Sequence, residues 1–376
     1  LMANFARNLN GRLTIGQAHA FAKQQYFGDL GLYGEYDFKA LQAATLFGLP
    51  MYQYGLAVPP AEPPTSPLPV VADPLSGLQS ASWSLPSTGI QQTSTSKGSL
   101  FSADGEVQFV HFRPLQPIVR KDVTGPNGEV AGGAFLTSLV TEDKAVEDMA
   151  FARPVIDLGE NEPEIESDEV VFPTAFTNIA TFNAPPPTGG PFEPRQQLNV
   201  IVGQFTSPPD GGSSGTERLF RSFDAQVFYR QTPPAGSGSS ATALSAGGGA
   251  GSIVEDYLRP ELDNVQATVV GPAGARQAAF SVDAYDEGTV VRVTILYLQS
   301  VSGTPEMGHW VLVDLVRNAG TDTWTGGGPV DLSGIADGQI DYMVQALDAN
   351  GNVANSTFKG LFYVAEEAPP PPEPNP

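Results

Sequence analysis

The sequence contains no cysteine, and among its 376 residues it has only three histidines and three tryptophans. The absence of cysteine removes disulfides, thiolate nucleophiles and cysteine metal sites from this chain together. Basic residues are also scarce. Lys and Arg number 19 against 41 Asp and Glu, which leaves a net charge of -22 at pH 7. With no basic surface to neutralise a phosphate backbone, a nucleic-acid partner is not expected, and simple attraction to anionic lipid is disfavoured. No run of eighteen apolar residues occurs, so no transmembrane segment is expected. The histidines, His19, His111 and His309, are too scattered to define a metal site. There is no H-E-x-x-H, no G-x-S-x-G, and neither glycine-rich stretch (PPPTGGPFEP, SAGGGAGSIVEDYL) carries the lysine of a phosphate-binding loop. The sequence therefore assigns no catalytic residue and requires no cofactor.

What the chain does contain is glycine (41) and proline (34), with charged residues at only 16%. That mixture suits β-rich domains joined by long loops. The length allows two or three domains, and composition divides it as follows. Residues 57–69 (AVPPAEPPTSPLP) read as a proline-rich linker, 233–252 as a Gly/Ser-rich linker and 365–376 as a proline-rich tail. Between them lie a middle β-sandwich domain, 70–232, and an immunoglobulin- or fibronectin-like β-sandwich, 253–364.

In the middle region, strand candidates are SASWSL near Trp83, GEVQFVHFRP around Phe109, GGAFLTSLV around Phe135, DEVVFPTAF around Val170, LNVIVGQF and RSFDAQVFYR. Alternation in QFVHF puts Phe109 and His111 on one strand face, with His111 a half-buried strand residue. Asp157, Glu160, Glu162, Glu164, Glu166, Asp168 and Glu169 place seven carboxylates in thirteen residues. Hard oxygen ligands of this kind are what calcium takes, which makes these residues the metal candidates. The spacing is not that of an EF-hand and Pro163 interrupts it, so an exposed acidic loop fits equally.

In the C-terminal region the candidates become regular: VQATVV, QAAFSVDAY, VVRVTILYL, HWVLVDLV, a short strand near Trp324, QIDYMVQALD and STFKGLFYV. These fill the seven-strand quota of an immunoglobulin-like sandwich. Tyr342, Val344 and Ala346 alternate along one face, and Asn350-Gly351 supplies a tight turn that Asp348 is placed to order. Trp310 and Trp324 are expected in or around the core, with a sugar-binding platform as the alternative.

The first 56 residues differ from the rest. Met2, Phe5 and Leu9 share one side of a helix. Thr14 and Gln17 form a capping box for a second helix carrying Ile15, Ala18, Phe21 and Ala22. Asp37 is positioned to cap a third helix, FKALQAATLF, with Gly48 as its C-cap residue and Pro50 ending it. Met51 to Leu56 then reads as an extended segment. Helix, helix and short strand form the close of an α/β sheet, so this segment is expected to be the edge of a larger α/β domain, with the remainder upstream.

The patterns TIGQAHAFAKQQY and YGEYDFKALQAATLFGLPMY resemble the distal end of the catalytic domain in gingipain-type cysteine peptidases of the caspase-like superfamily. The matching residues are Ala22, Lys23, Tyr26, Leu46, Gly48 and Pro50, while Leu49 stands where members often carry Asp. The resemblance implies a catalytic His–Cys dyad upstream of this segment, and His19 is read as a structural or surface residue. It further implies a non-catalytic C-terminal portion of a secreted peptidase, serving as scaffold, surface attachment or substrate presentation. Its partners would be the upstream part of the same polypeptide and a protein or surface glycan. The expected location is extracellular or on a bacterial cell surface. The alternatives are an adhesion, surface-layer or filament protein with a degenerate peptidase-like domain, and carbohydrate-binding β modules.

Overall fold

The computed structural model describes residues 1–9, 11–29, 35–46, 50–53, 68–110, 112–152, 171–184, 192–209, 211–230, 258–272, 275–335 and 339–367. Among these the protein is mainly β, with helices α1 (Met2–Asn8), α2 (Ile15–Asp29) and α3 (Glu35–Ala43) at its start. The strands before residue 231 are β1 (Val71–Ala72), β2 (Gln79–Leu85), β3 (Ile90–Thr95), β4 (Gly98–Ala103), β5 (Val107–Gln108), β6 (Gln116–Asp122), β7 (Val130–Val146), β8 (Val171–Phe172), β9 (Thr177–Ala184), β10 (Glu193–Ile201), β11 (Gly203–Thr206) and β12 (Gly215–Arg230). After residue 257 come β13 (Glu261–Val270), β14 (Gln277–Tyr285), β15 (Val290–Ser302), β16 (Met307–Asp314), β17 (Val316–Arg317), β18 (Thr323–Pro329), β19 (Ile340–Asp348), β20 (Val353–Ser356) and β21 (Tyr363–Glu367).

One hydrogen-bonded path runs β1-β2-β12-β7-β16-β15-β19-β21-β13-β14-β18-β17, while β5-β6-β10-β9 form a second sheet and β3-β4 a hairpin. The long strands β7 and β12 pair from Val146↔Gly215 to Val130↔Arg230, with three register shifts. Such bulges bend a strand and increase its twist. Apolar residues of this pair, Leu136, Phe220, Ala225 and Val227, pack against Leu198 and Val200 of β10. A second core sets Val269, Phe280 and Val282 against Ile295, Tyr297, Tyr342 and Val344. There the Phe280 ring lies 5.4 Å from Tyr297 and 5.2 Å from Tyr342.

The alternation of Tyr342, Val344 and Ala346 is present, and all three are buried. The opposite face of β19 is buried too. Met343 joins the first core, and Leu347 packs with Phe135 and Phe228. Strands β15 and β19 are therefore covered on both sides, which explains the nearly continuous apolar run VVRVTILYL. At the following turn, Asp348 accepts the Asn350 and Asn352 amides at 2.9 and 2.8 Å, and Gly351 takes a φ of +91°.

Several local expectations are corrected. Strand β5 stops at Gln108, so Phe109 is not a strand residue, and His111 lies outside the described residues. STFKGLFYV is not one strand: Lys359 and Gly360 take φ of +51° and +97°, and this turn separates β20 from β21. The hairpin β3-β4 and strands β6 and β9 carry too many polar residues to have been read from apolar patterning.

At the N-terminus the capping box forms as expected. The Thr14 amide donates to Gln17 Oε1 at 3.0 Å, and the Gln17 amide donates to Thr14 Oγ1 at 3.2 Å. Asp37 does not cap α3, which starts at Glu35. Instead its buried carboxylate accepts the Tyr26 hydroxyl at 2.7 Å and ties α3 to α2. Gly48 and residues 54–56 lie outside the described residues, and of the extended segment Gln53 bridges to Thr14. Helix α2 packs on the second sheet. Phe21 meets Phe182 at 6.4 Å and Phe192 at 6.0 Å, and Asn199 Nδ2 donates to the Gly28 carbonyl at 3.0 Å.

Candidate functional site: the seam between the two β regions

An elaborate polar geometry lies where β16 pairs with β7, joining strands on either side of residues 231–257. The register is Gly308↔Thr141, His309↔Val140, Trp310↔Leu139 and Val311↔Ser138. Where this ladder ends, a side chain continues it. Gln345 of β19 accepts the Leu136 amide at 2.7 Å and donates to the Leu136 carbonyl at 2.8 Å, and it is fully buried. A primary amide has the donor and acceptor of a peptide group, so it satisfies both main-chain atoms of one β7 residue.

Further along the ladder, Trp310 is 2% exposed and donates its indole N–H to Thr141 Oγ1 at 2.9 Å. Its ring lies 4.8 Å from Phe362. Over both rings sits Arg218 of β12, with its guanidinium carbon 5.7 Å from the Trp310 centroid and 5.3 Å from that of Phe362. Arg218 bonds Asp143 of β7 through Nε and Nη2 at 2.8 and 2.9 Å, and Asp341 of β19 through Nη1 at 2.6 Å. Burial works against its charge, but the hydrogen bond to Asp143 and the two carboxylates outweigh it and hold the proton more firmly than usual. Arg218→Met should keep the packing over the rings while breaking both ion pairs. Because Asp143 and Asp341 are 46% and 26% exposed, they can rehydrate, and a loss of about 1–2 kcal/mol in urea unfolding is expected.

A second arginine repeats the arrangement. Arg292 of β15 bonds Asp314 at 2.6 Å, reaches Gln226 of β12 at 3.0 Å and lies 3.7 Å from the buried Asp73. Burial pushes the Asp73 carboxyl upward, but bonds from Ser76 and Gln226 and the Arg292 charge outweigh it and hold it below its ordinary value. Its contribution is therefore present above the unfolded carboxylate pKa and is lost as pH falls through the lower folded value.

A polar cleft of about 170 Å³ opens on the same seam, with Asn178, Thr181, Gln196, Arg230, Arg259 and Asn355 among its walls. Several of these groups already serve the fold. Gln196 Oε1 accepts the Ala131 amide at 2.8 Å, and Asn355 Nδ2 donates to Thr177 at 2.9 Å. Among the described residues, no carboxylate or imidazole lines this cleft or the one beside Gln108 and Pro173.

The seven acidic calcium candidates, Asp157 to Glu169, lie outside the described residues. Among the described residues no group of three or more His, Asp or Glu could hold a metal. His19 sits on α2 with its ring edge-on to Phe5 at 5.8 Å, and burial first, then Lys23, lowers its pKa. His309 lies on β16, remote in sequence and element from His19. Trp310 and Trp324 are buried at 2% and 7% exposure, so neither forms a sugar platform. The seam residues Gln345, Arg218 and Arg292 were not singled out from sequence. Their only signal was polar residues set within strongly apolar strands.

No known protein-family model matches this chain, and no curated protein matches it. Among solved structures, the complex of the pro- and mature domains of RgpB from Porphyromonas gingivalis is 15% identical over 44% of this chain and 84% of that chain, with a TM-score of 0.25. A zymogen structure of gingipain K from the same organism is 14% identical over 46% of this chain and 96% of that chain, with a TM-score of 0.27. Similarity at this level does not establish a shared fold.

Proposed function

We propose that this chain is a rigid, non-catalytic β scaffold, the C-terminal portion of a secreted gingipain-like cysteine peptidase, acting in surface attachment or substrate presentation. The observation that carries the scaffold reading is the seam. The Gln345–Leu136 and Trp310–Thr141 hydrogen bonds, the half-buried Arg218–Asp341 and Arg292–Gln226 contacts and a shared ladder all fix one β region against the other. A flexible tether would need none of them. The peptidase association rests on the sequence pattern around Ala22, Lys23, Tyr26 and Pro50, and the immunoglobulin-like reading of 253–364 belongs to the same proposal. The partner would then be the upstream part of the same polypeptide, which would supply the histidine and the cysteine thiolate. Carbohydrate binding has less support, because Trp310 and Trp324 are in the core.

The test is a thiol-directed activity probe applied to the full gene product and to this chain alone. Labelling and peptide hydrolysis confined to the full product, and lost when its upstream cysteine is replaced, support the reading. Hydrolysis by this chain alone, or a full gene lacking the dyad, would sink it, the latter in favour of an adhesion or filament protein.

A further inference from the structure

We propose that Glu217 and Gln116 form a proton-dependent latch at the point where the chain crosses from the second sheet to the long one. Strand β10 ends at Ile201, and β11 begins at Gly203 in the other sheet. Between them, the Val202 amide donates to the Pro117 carbonyl at 2.9 Å, and its carbonyl accepts the Phe220 amide at 2.9 Å. Gln116 opens β6 on one side of this crossing, and Glu217 lies in β12 on the other. Both are fully buried.

Gln116 Nε2 donates to Glu217 Oε2 at 3.2 Å. The remaining oxygen of each side chain, Gln116 Oε1 and Glu217 Oε1, has no hydrogen-bond partner among the described residues. Both oxygens flank the same point, since a β-carbon added to Gly203 would lie 2.6 Å from the first and 2.5 Å from the second. Two buried acceptors side by side are costly, and a carboxylate there would be costlier still. One proton satisfies both. A neutral carboxyl bearing its hydrogen on Oε1 donates to Gln116 Oε1 and closes a ring of two hydrogen bonds with the existing Nε2–Oε2 contact.

The surrounding charges favour that state. On β7, Lys144 is the cross-strand partner of Glu217, but its ammonium is turned to Glu142 at 3.8 Å. Asp143 on the same strand adds negative charge. Arg218, the next residue on β12, is held by Asp143 and Asp341. On β6, Arg120 is paired with Glu106 at 2.6 Å, with Lys121 and Asp122 beyond it, and β11 has no ionisable residue. Burial, reinforced by Asp143, accordingly pushes the Glu217 carboxyl well above its ordinary value, against the Gln116 bond.

Below the ordinary glutamate value of about 4.3 both states hold the proton and the latch costs nothing. Above it the unfolded chain releases the proton while the folded chain keeps it, so the folding constant falls by up to about tenfold per pH unit from this group until the latch ionises. Glu217→Gln replaces the acid with an uncharged amide that can make the same two bonds.

The experiment compares the native chain with Glu217→Gln by urea unfolding from about pH 4 to about pH 9. The Glu217 carboxyl carbon is followed by carbon-13 NMR, with the variant assigning its resonance. A neutral carboxyl at neutral pH, with the variant equal in stability at low pH and increasingly favoured above, supports the latch. Three results would overturn it: an ionised Glu217 at neutral pH, a variant with the same pH profile as the native chain, or stabilisation of the native chain alone by calcium or sodium chloride. The last would put a cation where the proton is assigned. Gly203→Ala, which wedges a methyl between the two oxygens, should weaken the pair and lower the stability of the native chain.

Discussion

Trp310→Ala should lower the stability of the folded protein by about 3–5 kcal/mol, the largest effect expected of any single truncation along the seam. Three losses combine. The indole leaves a cavity in the core it shares with Leu136, Leu139 and Phe362. Thr141 Oγ1 loses its donor, and Arg218 loses one of the two aromatic faces beneath it. The measurement is the urea midpoint with the slope checked for constancy, so that a change in the denatured state is not read as a loss of packing. Trp324→Ala offers the comparison. That indole N–H has no hydrogen-bond partner among the described residues, so only the cavity should count.

Gln345→Leu should cost about 3 kcal/mol although it places an apolar side chain at a fully buried position. The reason is the asymmetry between making a hydrogen bond and abandoning its partner. The Leu136 amide and carbonyl would both be left unsatisfied, at about 1–3 kcal/mol each, with part of that recovered by the apolar replacement. A residue chosen only for burial would look like an improvement here, which makes the sign diagnostic. Hydrogen exchange at the Leu136 amide gives the local reading. It is expected to be among the slow amides in the native chain and to accelerate strongly in the variant, while amides of β13 and β14 change less.

Local chemistry was legible in the sequence wherever a short pattern carries its own mechanism. The Thr14–Gln17 capping box formed as expected because both partners lie within one helical turn. The Asn350-Gly351 turn formed because the Asp348 carboxylate can reach the amides just ahead of it. Asp37 failed for the same reason in reverse. Its residue type suits an N-cap, but Tyr26, eleven positions away, offered a partner that pattern alone does not weigh.

The seam was not legible, since Leu136 and Gln345 are separated by 209 positions and nothing local fixes which strands meet. One trace of it was present. VVRVTILYL is too evenly apolar for a strand with a solvated face, and the alternation of Tyr342, Val344 and Ala346 accounted for only half of β19. Met343, Gln345 and Leu347 had to face something as well, and that something is the first β region. The middle sheets were harder to see because β6 and β9 carry Arg, Lys, Asn and Thr at positions that face outward or join the polar seam. The acidic run from Asp157 to Glu169 stays an expectation about calcium.

We expect the strands before residue 231 and after residue 257 to fold as one unit through this seam. Differential scanning calorimetry of the chain tests it most directly. The claim predicts a single main endotherm for the β regions, with calorimetric and van't Hoff enthalpies in agreement, and with Gln345→Leu and Trp310→Ala moving the whole transition. Two separate endotherms, one of them unmoved by either substitution, would contradict it.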